Sequence, residues 1–555
     1  QKGLTKGMTT LVKVSLEYVI SPKKLWLSAI AGNQSKEIEL ENQISAISGS
    51  SINSLRKLFY DADQEFISNS SKALAASLSA KTEDCLIDGN SKGSPKTFTE
   101  SPLLTHELKK QRRHLPTRLL ITQAFESLSR LMPCWMMSPA SAAELLPKRP
   151  DLFDVLIIDE ASQMKPEQAF SLIARSKQLI IVGDRNQLPP TNFFQKKNEI
   201  EDDDLDIEIE DNESILELAD KVLSKNGCSL GWHYRSKHQS LIRFSNHHFY
   251  DNSLTVFASN KVGSAVSLVQ VTSPLYSAGV NLPEVEQTIA ALRRQVAEDP
   301  TKSILVATMN QAQTSELKLA LDRGIQNDSL LEKFASLHQS TLDELVVKNL
   351  ENVQGDERDV VIVSTVYGPG ADGRVMQNFG PINKESGWRR LNVLFTRAKH
   401  RVIIVSSLTP TDITISANSS RGVRALREYI EYAQTGNLTD DLRRSSGTIE
   451  SPFEESVRNA LVGLGHEVDL QVGVASYRID MAIRDPRDSS RYLLAIECDG
   501  ASYHSSFSAR SRDRLRQQVL EGLGWEIYRI WSTDWFREPK RELHLLHEKI
   551  KSMSL

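Results

Sequence analysis

Five short apolar runs without alternation punctuate the chain: Val155-Leu156-Ile157-Ile158, Leu179-Ile180-Ile181-Val182, Ile304-Leu305-Val306-Ala307, Val360-Val361-Ile362-Val363 and Val402-Ile403-Ile404-Val405. Runs of this kind suit strands buried on both faces of a parallel sheet. Helical spacing at 284–297 and 311–322 separates some of them, so strand and helix alternate and the fold class expected is α/β. One helical run is expected from Pro116 to Met132 and another over 423–433. After a polar stretch at 436–448 the pattern changes. Residues 452–536 read helix, strand, strand, helix, strand, a small α/β module of its own. Residues 1–112 are polar, Ser-rich and helix-leaning, notably at 37–44 and 54–66, and show no chemistry.

Composition narrows this picture without fixing it. A length of 555 residues implies several domains, and 40% hydrophobic with 25% charged residues excludes wholesale disorder. Lys+Arg of 67 against Asp+Glu of 71 leaves a net charge of −4, so nucleic-acid binding must use local basic patches. No apolar run reaches the roughly 18–20 residues of a membrane span, and the amino end lacks a signal-peptide layout. The expectation is a soluble, cytoplasmic protein with no membrane partner. The four cysteines are far apart, without zinc-ligand spacing. Ten acidic residues between Glu199 and Glu213 read as a solvated surface loop.

The chemistry concentrates at the ends of the predicted strands. Ile157-Ile158-Asp159-Glu160-Ala161-Ser162-Gln163 places two carboxylates where α/β sheets bind ligands. Phosphoryl transfer needs such acids, one to hold Mg²⁺ and one to orient the attacking water. Val182-Gly183-Asp184-Arg185-Asn186-Gln187-Leu188 follows, then Trp232-His233-Tyr234-Arg235-Ser236, Asn352-Val353-Gln354-Gly355-Asp356-Glu357-Arg358 and Leu391-Asn392-Val393-Leu394-Phe395-Thr396-Arg397-Ala398. In this order the motifs resemble the superfamily 1 helicases, the branch with an Asp-Glu-Ala-Ser box, over roughly 115–410.

That resemblance implies two RecA-like parallel-sheet domains, the first incomplete, with ATP between them and a nucleic-acid strand across them. It implies that Asp159 holds magnesium, Glu160 activates water and Gln187 senses the γ-phosphate. Tyr234 would stack on adenine, Arg235 and Arg397 would meet the γ-phosphate, and Gly355 and Glu357 would lie near the ribose and phosphates. Guanidinium suits phosphate because it is always charged and bonds bidentately. A motor of this class also needs a Gly-rich loop ending in Gly-Lys-Ser/Thr, and this chain contains no Gly-Lys dipeptide. The stretch Gly89-Asn90-Ser91-Lys92-Gly93-Ser94-Pro95 imitates its composition only, because Pro95 lacks the amide a phosphate cradle requires. The favoured expectation is that the loop precedes Gln1 in a longer product; supply by a partner chain and a degenerate ATPase are the alternatives.

A second acidic set lies near the carboxyl end. Glu454 opens a predicted helix beside Glu455, Asp480 ends Tyr477-Arg478-Ile479-Asp480, and Glu497 and Asp499 stand two apart in Ala495-Ile496-Glu497-Cys498-Asp499. Alternation puts the last two on one face of a strand. Carboxylates converging from several elements are what divalent ions need to activate water against a phosphodiester. With His504, Arg512-Asp513-Arg514-Leu515-Arg516 and Trp525, the order resembles restriction-endonuclease-like nucleases, in particular very-short-patch repair enzymes. By that resemblance Glu454, Asp480 and Glu497 are metal ligands, with Asp499 and His504 assisting. Trp525, Trp531 and Trp535 read as core.

The domains expected are therefore 1–114, a helical region inserted on the first RecA-like domain; 115–225, the carboxyl part of that domain with the acidic loop 199–213; 226–410, the second RecA-like domain; 411–450, a helix and linker; and 451–555, a small endonuclease-like domain. The function expected is an ATP- and Mg²⁺-dependent helicase coupled to a metal-dependent DNA endonuclease, with Mn²⁺ also suited to the nuclease site. Single- and double-stranded DNA are the expected partners and RNA is a second candidate track; genome defence or DNA repair is the expected setting. The rival readings are an ATP-independent nuclease whose motor-like half clamps nucleic acid, and a non-catalytic nucleic-acid scaffold.

Overall fold

The computed structural model describes residues 49–82, 87–190, 214–272, 275–438, 451–474, 477–499 and 515–554. The acidic tract, the helix-leaning stretch 37–44, His504 and the arginines at 510, 512 and 514 lie outside the described residues. The chain divides into two compact units. One joins residues 49–82 to the described residues beyond 451, and the other takes in essentially all that lies between. The first described element, α1 (Gly49–Thr82), belongs to the carboxyl-terminal unit.

In the central unit the apolar runs become strands. β1 (Phe153–Ile158) pairs in parallel with β2 (Ser176–Ile181), joined by α2 (Pro166–Ile173). Lys165 precedes a proline at the start of α2, where the missing amide costs nothing. Val155, Ile157, Ile180 and Val182 are exposed on this two-stranded sheet, although their composition suits a covered one. The run expected to be one helix up to Met132 is two, Thr117–Gln123 and Phe125–Leu131, because Ala124 leaves helical geometry.

The second sheet is larger and wholly parallel. It uses β3 (Val266–Gln270), β6 (Ile304–Thr308), β7 (Val346–Asn349), β8 (Arg358–Ser364) and β9 (Ala398–Ser406) in the order β3-β9-β8-β6-β7, while β4 (Tyr276–Ser277) and β5 (Val280–Asn281) form a separate small hairpin. Around it lie α3 (Ser240–Phe249), α4 (Leu282–Glu298), α5 (Gln311–Asn327), α6 (Gly387–Phe395) and α7 (Arg421–Thr435). Every residue of β6 is buried, with Leu305, Ala307, Val361, Val363 and Ile404 in the core on one face and Ile304, Val306, Ile362 and Val405 in that on the other. These are RecA-like parallel α/β sheets, the first with two strands among the described residues.

The carboxyl-terminal unit opens on α8 (Pro452–Gly463), whose N-cap Ser451 accepts a bond from the Glu454 amide. Its sheet runs β10 (Val468–Val474), β11 (Tyr477–Asp485), β12 (Asp488–Asp499), β13 (Ile527–Trp531), one strand more than expected. β11 and β12 are antiparallel, β12 and β13 parallel. α9 (Arg516–Gly522), α10 (Ser532–Arg537) and α11 (Pro539–Ser554) complete it. Ile496, Met481 and Ile530 meet Val457, Leu461, Leu546 and Ile550 on one face, and Trp525, Trp531 and Trp535 are buried. No helix among the described residues is long and apolar enough to cross a membrane.

The sequence grouped residues 1–114 as one insertion on the first RecA-like domain. The structure divides them. Helix α1 packs in the carboxyl-terminal unit, whereas Glu100–Leu108 packs in the central one.

Candidate functional site

The central unit assembles its motifs from the carboxyl ends of β1 and β2, which lead into Asp159, Glu160 and Gln187, and from the amino ends of β8 and β9, which Glu357 and Arg397 immediately precede. Asp159 and Glu160 leave β1 exposed to solvent, Glu160 in the left-handed region at φ 51°. Glu160 Oε2 accepts a hydrogen bond from Gln354 Nε2 at 3.3 Å, and the same amide donates to Gln187 Oε1 at 3.4 Å. Three motifs from both sheets thus share one point. Gln187 in turn donates to Asp184 Oδ2 at 3.0 Å, which also receives the Tyr250 hydroxyl at 2.6 Å. Asn392 of α6 donates to Tyr250 Oη and to the Asn186 carbonyl, tying the second sheet's helices to the loop after β2.

Opposite these acids stand the basic groups. Arg235 Nε donates to Glu357 Oε2 at 2.9 Å, and Lys399 lies 2.9 Å from Glu357 Oε1. Lys399 and then Arg235 hold the Glu357 carboxyl below its usual range. Arg397 is buried and donates to the carbonyls of Val393 and Asp356; burial and the neighbouring Arg235 depress its guanidinium to about 10, while Glu160 works the other way. Tyr234 is 83% exposed, free to lie flat against a ring. Gly355 has φ 87° and open space around it. The buried Oε1 of Gln354 finds no hydrogen-bond partner among the described residues. A polar atom left so in a charged cleft suits a ligand that donates or coordinates, and the facing guanidiniums suit a polyphosphate, so the residues present fit ATP with Mg²⁺.

The carboxyl-terminal centre is built on register. Met481 pairs with Ile496, so the next position sets Asp480 across from Glu497, and Glu497 pairs with Arg529 on β13. Three charged side chains therefore stand side by side on one face. Asp480 Oδ2 accepts the Cys498 amide at 2.7 Å. Glu497 is buried and meets Arg516 Nη2 at 3.1 Å, and Asp499 meets Arg529 Nη1 at 2.7 Å. Burial, then Asp480, lift the Glu497 carboxyl to about 8; burial, Arg529 and Arg56 lower Arg516 to about 9. Glu454 is buried against Ser451 and Gln471, and Glu455 is exposed.

Among the described residues no set of three His, Cys, Asp or Glu side chains is drawn together tightly enough to hold a metal ion. Asp480 and Glu497 still fit a divalent cation by their chemistry, since a buried carboxylate crowded by others is relieved by positive charge. Sequence reasoning passed over Gln354, Asp184, Tyr250 and Arg529. Gln354 and Asp184 stand inside motifs already recognised; Tyr250 ends a helix that carries no motif, and nothing local distinguishes it.

Two AAA domain family models match, AAA_11 over residues 31–195 and AAA_12 over residues 212–409, and REase_MTES_1575 matches residues 453–550. The chain thus carries helicase-like AAA domains followed by a restriction-endonuclease-like domain. It is 31% identical over 441 residues to the uncharacterized ATP-dependent helicase MG140 of Mycoplasma genitalium, covering 75% of this chain and 38% of that protein. Identity is 24% over 336 residues to DNA-binding protein SMUBP-2 of Rattus norvegicus, covering 56% and 31%. It is 27% over 256 residues to the DNA replication ATP-dependent helicase/nuclease DNA2 of Gallus gallus, covering 46% and 23%. The chain therefore spans 38% or less of the length of these three relatives.

Proposed function

We propose that this chain is part of an ATP- and Mg²⁺-dependent helicase coupled to a metal-dependent DNA endonuclease. The observation that carries the reading is the meeting of Glu160, Gln187 and Gln354 at one point between two parallel sheets, with Arg235 and Arg397 close by. Mg²⁺ neutralises phosphate charge when bound, and Asp159 is the residue to hold it. Glu160 accepts a proton from the attacking water. Gln354 and Gln187 register whether the γ-phosphate is present, and the Asp184–Tyr250–Asn392 chain passes that difference to α6. Arg235 and Arg397 stabilise charge on the transferring group. Tyr234 stacks on the base.

In the carboxyl-terminal domain Asp480 and Glu497, with Glu454 as a further candidate, would hold the divalent ion, Mg²⁺ or Mn²⁺, that activates water. Arg516 and Arg529 offset the charge of the acids until a phosphodiester and cation arrive. Asp499 positions Arg529, and His504 is a candidate proton donor. The joining of the two domains points to genome defence or DNA repair, on a DNA track. Loss of resistance to phage or to DNA damage on deleting the gene tests that setting, and unchanged survival under both would sink it.

The experiment compares the natural full-length protein with its Glu160→Gln and Asp480→Ala variants, following DNA-stimulated ATP hydrolysis and cutting of a labelled duplex. Glu160→Gln is expected to stop hydrolysis and Asp480→Ala to stop cutting. Parental hydrolysis in the first, or parental cutting in the second, overturns the corresponding half.

A further inference from the structure

Helix α6 and the loop 350–357 between β7 and β8 are tied by a pair of charges that takes no part in the contacts above. Arg390 of α6 is completely buried, and its Nε donates to Glu351 Oε1 at 2.6 Å. Glu351 opens the stretch that carries Gln354, with 16% of its side chain exposed. At the far end of that stretch the Asp356 carbonyl accepts Arg397 Nη1 at 3.4 Å, and Arg397 donates in turn to the Val393 carbonyl near the end of α6. Gln354 thus lies between two arginine fastenings to one helix, and its amide is the group that reaches Glu160 and Gln187. Leu350 and Val353 also anchor the loop in the core, and Lys348 pairs with Asp356. Apolar packing has no direction, however, and Lys348 belongs to β7, from which the loop itself springs. The arginines give the loop its orientation against α6.

The pair is poorly built for stability alone. Nη1 and Nη2 of Arg390 are buried and find no hydrogen-bond partner among the described residues. A buried charge with two such donors costs free energy that a well-packed apolar residue of similar volume does not. What a charged hydrogen bond adds is a fixed distance and direction. We propose that Arg390 is a positioning residue of the ATPase centre: its bond to Glu351 sets the loop against α6, so that the Gln354 amide stays between Glu160 and Gln187. Being buried, Arg390 touches no nucleotide and acts through Gln354. The proposal rests on the ATPase reading of this unit and adds to it a group in the core behind the cleft.

The test uses the natural full-length protein, following DNA-stimulated ATP hydrolysis and thermal unfolding of the central unit. The double variant Arg390→Met with Glu351→Leu replaces the pair by apolar side chains of similar volume. It is expected to melt at the parental temperature or above while kcat falls on the order of 10²-fold with KM little changed. Glu351→Gln keeps an acceptor for Nε but removes the charge, and is expected to melt lower yet keep most of kcat. Gln354→Ala lowers kcat by itself, and adding the double variant to it is expected to cost little more, because both act at one place. A double variant with parental kcat overturns the proposal, and so does one that melts well below the parent, which assigns the pair to the fold. A kcat that follows melting temperature across the two pair variants overturns it as well. Losses that multiply with that of Gln354→Ala do the same, since Arg390 would then act elsewhere. Glu160→Gln separates the two levels. If it stops hydrolysis while the double variant is parental, only the role of Arg390 fails; if it hydrolyses like the parent, the ATPase centre itself is misassigned and the proposal falls with it.

Discussion

The two candidate centres use the same groups in opposite ways. In the central unit the acids Asp159 and Glu160 are exposed, and the arginines that face them belong to other motifs reached through Gln354. In the carboxyl-terminal unit Glu497 is buried, Asp480 and Arg529 flank it in register, and the pairs Arg516–Glu497 and Arg529–Asp499 are short and largely shielded from water. Exposed acids are solvated and can exchange partners. Buried acids must keep their compensation, so the second centre holds its charges in fixed and electrostatically strained pairs.

The largest effects should separate the centres altogether. Asp480→Ala is expected to lower cutting on the order of 10³-fold while ATP turnover is kept, and Glu160→Gln to lower turnover by a similar factor, as for groups acting directly on the reacting atoms. Parallel assays of both activities on both variants check this. If either substitution removes both activities at once, the centres are not independent.

The next difference concerns stability. Arg529 and Asp499 are 9% and 12% exposed in their side chains, so Arg529→Gln strands a buried carboxylate and should cost about 3–5 kcal/mol. Amide exchange resolved by segment should place that loss in residues 451–554. A loss below about 1 kcal/mol would mean that the pair is effectively solvated.

Acid should act on the central unit more than on its neighbour. His238 is buried, its Nδ1 accepts the Ser240 amide, and burial lowers it to about 4; burial and Arg235 do the same to His233. The unfolded chain binds protons that the fold refuses between about 6.5 and 4, so stability is full above that window and lost as pH falls through it, by about 2–3 kcal/mol for each histidine. In the carboxyl-terminal unit His466 is also lowered, by burial and then His547, but it is more open to water and its response should be smaller. Segment-resolved exchange at pH 7 and pH 5 tests the order. The same loss in both units would contradict it.

How legible these centres were depended on burial. The five apolar runs became β1, β2, β6, β8 and β9; β6, β8 and β9 lie inside a parallel sheet covered on both faces, which demands continuous apolar residues, whereas β1 and β2 keep exposed apolar positions. β3 and β7 went unread, since edge strands with half-exposed positions alternate too briefly to stand out. The strand-end acids could be read because α/β sheets bind ligands at the carboxyl ends of their strands, and β12 announced Glu497 and Asp499 by their spacing. The register that puts Arg529 beside Glu497, and the docking of α1, depend on pairings between distant segments. Composition records neither.

The smallest effect should come from the exposed pair. Arg235 and Glu357 are 25% and 43% exposed in their side chains, and Lys399 lies on the other oxygen of the same carboxylate. Arg235→Gln therefore leaves Glu357 with one cation and with water, and should change the stability of the central unit by no more than about 1 kcal/mol. Its ATP turnover should nevertheless fall, because the guanidinium would be missing from the transferring phosphate. Chemical denaturation beside turnover measures both at once. If Arg235→Gln unfolds the unit as severely as Arg529→Gln unfolds the other, Arg235 serves the fold rather than the nucleotide, and the contrast between an adaptable centre and a strained one disappears.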